Sequence, residues 1–119
     1  MNAHEQIVNI SFLEQFTNGD RTKMVKYINM FLQSAPGSIH TMKEQLAAGH
    51  FLDLRTTAHS LKPQLTYMGI NGLKETILRI EEYAGQSIKP EEIARLIGEV
   101  ENTCLAAFDE LKSLVEKMS

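Results

Sequence analysis

His59, Lys62 and Arg55 are the residues whose types and spacing suit chemistry. On an α-helix, Lys62 lies one turn after His59 and Arg55 one turn before it, so the three share a polar stripe. A neutral imidazole is a nucleophile. Two cations beside it favour a phosphoryl group, which they attract, over a metal ion, which they repel. Transfer to imidazole needs a neutral ring nitrogen exposed in line with the donor phosphate. It also needs positive groups that tolerate three charged oxygens afterwards, and Lys62 and Arg55 are within reach. Ser60 and Thr66 add hydroxyl donors at the edge of the stripe.

The elements that must position this stripe read as helix after helix. Ser11 is placed to cap a short helix over Phe12-Leu13-Glu14-Gln15-Phe16, which Asn18-Gly19 ends. Asp20 caps the next helix, whose apolar residues Met24, Val25, Ile28, Phe31, Leu32 and Ala35 recur at spacings of three and four. Ile39, Met42 and Leu46 resume the pattern beyond Pro36, which predicts one long helix kinked at the proline and closed by Gly49. A third helix runs from near His50 to about Met68, with Leu54, Ala58, Leu61, Leu65 and Met68 inward. Gly69 suits a left-handed C-terminal cap. Leu73, Ile77, Ile80 and Ala84 give the fourth helix its buried face, and a loop is expected over Gly85-Gln86-Ser87-Ile88-Lys89. Pro90 fits a first helical position, followed by Glu91 and Glu92 at the positive end of the dipole. The last helix carries Ile93, Leu96, Ile97, Val100, Cys104, Ala107, Leu111, Leu114 and Val115. No segment reads as a strand. The expected fold is all-α: an antiparallel four-helix bundle with a short additional N-terminal helix.

Composition narrows the function classes. A chain of 119 residues suits one domain, here residues 1–119, with a core that needs no staples. A net charge of −3 provides no broad basic field, which argues against nucleic acid. Cys104 is the only cysteine, so neither an internal disulfide nor a cysteine-based zinc cluster can form. No apolar run is long enough for a membrane span, and the polar start Met1-Asn2-Ala3-His4-Glu5-Gln6 lacks a signal-peptide pattern. A reduced, cytoplasmic setting and a monomer are the expectations. The six methionines are expected mainly as core filler.

The stretch Ala58-His59-Ser60-Leu61-Lys62, with Gly69 ten residues after the histidine, resembles the signature of histidine-containing phosphotransfer (HPt) domains. The similarity extends over the bundle pattern from about Ile10 to Ala84. The resemblance implies that His59 receives the phosphoryl group on its outer nitrogen, Nε2, and that Lys62 steadies it. It implies a carrier without its own kinase or ATP site, in keeping with the lack of a glycine-rich phosphate loop. The implied partners are response-regulator receiver domains and a hybrid sensor histidine kinase. The protein needs no cofactor of its own, because the receiver brings the aspartyl phosphate and the Mg2+ ion. Docking would involve a patch around the histidine, where Pro63, Gln64, Thr66 and Tyr67 fall. Two positions depart from the family pattern. Pro63 stands where glycine is usual, and His50 stands where an acidic cap is common.

Other readings compete. A histidine-kinase dimerisation hairpin normally has an acidic residue directly after its histidine, where this chain has Ser60, and it would not explain four or five helices. A bundle that docks a receiver and sequesters it without being phosphorylated is the alternative that Pro63 keeps open. His40 and Glu44 have metal-ligand spacing, but the Glu-x-x-His pairs of carboxylate-bridged metal bundles are missing.

Overall fold

The computed structural model describes residues 6–118; His4 and the rest of the polar stretch at residues 1–5 lie outside the described residues. Five α-helices follow one another: α1 Ser11–Phe16, α2 Arg21–Ala47, α3 Phe51–Tyr67, α4 Lys74–Gln86 and α5 Pro90–Met118. A single 3-10 turn, Asn71–Leu73, leads into α4. Tight connections make consecutive helices antiparallel. Each of α2 to α5 packs against its neighbours in sequence, and α5 returns to α2, closing a four-helix bundle. Among the described residues there is no strand. No helix is long and apolar enough to cross a membrane.

Local chemistry sets most boundaries. Asp20 accepts from the Lys23 amide at 3.2 Å and starts α2. Gly49 and Gly69 adopt positive φ after α2 and α3, at +74° and +68°. His50 stands at the N-cap of α3 with no side-chain cap bond. Pro90 opens α5 as expected. Three expectations need correction. Ser11 does not cap α1: Ile10 holds the cap position, and the Ser11 amide donates to the Asn9 side-chain oxygen at 3.0 Å. Gly85 and Gln86 belong to α4, which leaves only Ser87, Ile88 and Lys89 as the loop, with Ser87 in the left-handed region. Met30 is 54% exposed and is not core filler.

Both interior prolines are carried inside continuous helices, Pro36 in α2 and Pro63 in α3. Each is exposed, so the carbonyl left without a donor lies on the solvent side. Packing explains why α3 survives. Leu54, Leu61 and Leu65 are buried on its inner face, each worth about 1.5–3 kcal/mol. Together they exceed the ~3 kcal/mol that an interior proline costs. The opposing faces supply Ile28, Met42, Ile77, Ile80, Ile97 and Leu111, all nearly free of solvent. Phe108, which the apolar spacing of α5 left out, is also buried and meets Phe31 edge to face at 5.7 Å.

One end of the bundle is closed by residues 7–10. The amides of Ile7 and Val8 donate to the Glu110 carboxylate on α5, at 2.9 Å for both. The Asn9 amide donates to the Gly69 carbonyl at 3.2 Å. This approach is so close that a Cβ on Gly69 would fall 1.7 Å from the Asn9 carbonyl oxygen. Glycine is therefore required there twice, for its φ and for its missing side chain.

Candidate functional site

Ala58 and Leu61 anchor this part of α3 in the core, which turns the intervening His59 and Ser60 outward. The His59 side chain is 70% exposed. Its Nδ1 lies 2.7 Å from Oε1 of Glu81, which α4 supplies from across the helix pair. The other carboxylate oxygen, Oε2, lies 2.9 Å from the Lys62 ammonium. Oε2 is enclosed, and the ammonium meets it as an ion pair away from ideal hydrogen-bond alignment. Glu81 is thus a bridge between the two residues singled out by the sequence.

Glu81 is the partner of His59 and Lys62 that local spacing did not reveal. Burial pushes its carboxyl up, but the Lys62 ammonium beside it, together with the His59 hydrogen bond and charge, holds it below the usual carboxylate range. An ionised carboxylate only accepts, so the proton in the His59 contact must sit on Nδ1. In the neutral ring this leaves the lone pair on Nε2, which takes no partner among the described residues. The arrangement can therefore present an outward nucleophilic nitrogen of fixed tautomer, with a cation a turn away.

The remaining predicted residues divide between two sides of His59. Toward α4, Arg55 is exposed and its side chain passes over Gly85. Ser60, on the α2 side, and Thr66, on the same stripe as His59, differ from the expectation of free edge donors. Their hydroxyls donate back into α3, Ser60 to the Thr57 carbonyl at 2.8 Å and Thr66 to the Lys62 carbonyl at 3.2 Å. Gln64 donates to the Ser60 carbonyl and receives the Ser34 hydroxyl at 3.3 Å, which ties α3 to α2. Gln64 and Tyr67 also line an apolar pocket of about 630 Å³ with Phe16, Tyr27, Met30 and Phe31. Pro63 and Thr66 are exposed on α3 but do not line it. Phe12, Phe16 and Tyr67 pack ring on ring there and yet remain 42–53% exposed. Gly69 stands apart from the histidine and serves the bundle end.

His40 pairs with Glu44 at 3.4 Å on the surface, away from any further ligand. Among the described residues, no three histidine, cysteine, aspartate or glutamate side chains gather where a metal ion could be held. Cys104 is buried, and burial pushes its thiol up to about 11, so it is a core residue in its ordinary protonated form.

A comparison with the curated proteins and one with the solved structures each find no match. A family model does match: the Hpt domain, over residues 26–118. That span takes in most of α2 and all of α3, α4 and α5, the four helices that hold His59 against Glu81. The chain belongs to the Hpt domain family, the histidine phosphotransfer modules of phosphorelays.

Proposed function

We propose that His59 is the phosphoryl-accepting residue, and that it exchanges the group with the aspartate of response-regulator receiver domains. The observation that carries this reading is the 2.7 Å contact between Nδ1 and Glu81 on a ring that is 70% exposed. In the forward step the Nε2 lone pair attacks phosphorus. The Nε2–P bond forms, the bond from phosphorus to the aspartyl oxygen breaks, and the electron pair leaves with the carboxylate. Positive charge that develops on the ring is stabilised through Nδ1–H by the Glu81 carboxylate. Lys62 then lies beside both the carboxylate and the incoming oxygens, which suits a phosphate-steadying role. The reverse step returns the group to an aspartate.

The receiver supplies the Mg2+ ion and the acyl phosphate, and this chain supplies the imidazole and a docking face. A hybrid sensor histidine kinase is the other proposed partner in the relay. The aromatic pocket beside Gln64 and Tyr67 suits the apolar part of that docking face, with Pro63 and Thr66 on the solvent side of the same helix.

The test is transfer from phosphorylated receiver domains of the same organism to the wild type and to His59→Gln. Acid-labile, alkali-stable label on the wild type alone is the expected result. Binding without transfer would replace this reading with the sequestering adaptor, and label on both proteins would place the acceptor elsewhere.

A further inference from the structure

Lys62 is not a free cation. Its ammonium sits on Glu81 at 2.9 Å, and it must share that carboxylate's field with any phosphoryl group on His59. Arg55 is in a different state. Among the described residues its guanidinium has no ion-pair partner.

Its position is nevertheless defined. The antiparallel pair α3 and α4 brings His59 to Glu81, and one turn along it brings Arg55 to Gly85. A Cβ built at Gly85 would lie 3.4 Å from Arg55 Cδ and 3.5 Å from Nε and Nη1. That is ordinary van der Waals contact, so the arginine lies directly across the bare backbone of Gly85, and a bulky side chain there would compete for its place. Gly85 lies within α4 at an ordinary negative φ, so neither a turn nor a strained backbone explains glycine there. What its missing side chain leaves is a seat for Arg55, one turn from the imidazole on the same face.

We infer that Arg55, seated over Gly85, is the second phosphate-binding residue of the site and directly contacts the phosphoryl group on His59. The inference rests on His59 as the acceptor. A planar guanidinium offers two parallel donors to two phosphoryl oxygens, which the ammonium of Lys62 cannot do. The division of labour follows: Lys62 is held near the ring by Glu81, while Arg55 answers the charge that arrives with the phosphoryl group.

A small phosphoramidate donor tests this without any partner, because docking then plays no part. Formation of phosphohistidine and its 31P resonance across pH are followed for wild type, Arg55→Gln, Arg55→Lys and Gly85→Leu. In Arg55→Gln, we expect formation about threefold slower, the scale of one exposed ion pair. The midpoint of its 31P titration should also move up, since a lost cation favours the protonated phosphoryl group. Arg55→Lys should recover part of both effects. Gly85→Leu removes no charge and improves helix propensity. It should reproduce the Arg55→Gln slowing, yet change nothing further in the Arg55→Gln background. Wild-type rates and 31P titration in Arg55→Gln would overturn the inference while leaving His59 as acceptor. Failure of the folded wild type to label at all would overturn the acceptor reading and this inference together.

Discussion

Glu81 Oε1 lies 2.7 Å from His59 Nδ1, and the same carboxylate holds Lys62 through Oε2 at 2.9 Å. One largely enclosed carboxylate thus contacts both His59 and Lys62. Replacing it should affect transfer more than folding. Glu81→Ala removes the acceptor for Nδ1–H and frees Lys62. Carboxylate partners of metal-ligating histidines matter by roughly 10–100-fold; taking the lower end for a ring without a metal, transfer about tenfold slower is expected. Glu81→Gln keeps an acceptor oxygen and should lose less. Heteronuclear NMR of the imidazole nitrogens should show a smaller Nδ1–H share in Glu81→Ala. Unchanged tautomer populations and unchanged rates in both variants would remove Glu81 from the site.

The same carboxylate has a pH signature. Lys62 and His59 lower the folded-state value of Glu81 against the opposing push of burial. Between the folded and unfolded values the unfolded chain binds the extra proton, so stability rises with pH there. The contribution is complete above the ordinary carboxyl value of 4.5 and fades as pH falls through the lower folded value. Thermal melts of wild type and Glu81→Gln should therefore run apart above that window and converge as pH drops below it. A constant separation down to the most acid pH would show that the Lys62 contact does not stabilise the folded chain.

The two left-handed glycines that follow α2 and α3 provide an internal comparison. Gly49 faces open space, whereas a Cβ on Gly69 would overlap the Asn9 backbone. Gly49→Ala should cost about 1–2 kcal/mol, the strain of a left-handed alanine. Gly69→Ala adds a backbone collision and should cost about 3 kcal/mol or more. Urea denaturation measures both, and equal losses would refute the close approach of residues 7–10.

Aromatic residues at the pocket should matter for binding and little for stability. Phe16 and Met30 are 53% and 54% exposed, so Phe16→Asp and Met30→Asp should each shift stability by only about 0.5 kcal/mol. If the pocket receives the receiver, each should raise the Kd by about tenfold, on the scale of an interface anchor. Calorimetric titration with a cognate receiver checks this. Unchanged affinity in both would move docking to the exposed edge of α3 around Pro63.

Much of the fold was legible because each of the four long helices buries a stripe with local periodicity. Leu73, Ile77, Ile80 and Ala84 show it, as do the inward residues of α5. His59, Lys62 and Gly69 were legible for the same reason: their relation lies within a single helix and its cap. Glu81 was not, since its partners stand on another helix and spacing along one chain segment does not encode the register between two. A signal did exist. Glu81 falls four residues after Ile77 and three before Ala84, which puts a carboxylate on the flank of an apolar stripe. Ser11 was misplaced because Asn9, not the expected cap, receives the first free amide. Gly85 looked like loop on composition alone, while its role depends on the arginine that lies over it.

The neutralisation of Lys62 by Glu81 has a consequence for how partners tell the two states of the protein apart. At rest the Glu81 carboxylate and the Lys62 ammonium offset each other, and the Arg55 guanidinium nearby has no ion-pair partner among the described residues. A phosphoryl group brings close to two negative charges. With His59 as the acceptor, loading it would make the charge balance around the imidazole more negative, while the uncharged aromatic pocket would stay as it was. On that reading, a loaded site would attract an anionic, phosphate-bearing partner site less than an empty one. Exchange of partners is then built into the charge count, sensitive to salt, on top of an apolar grip that salt leaves alone.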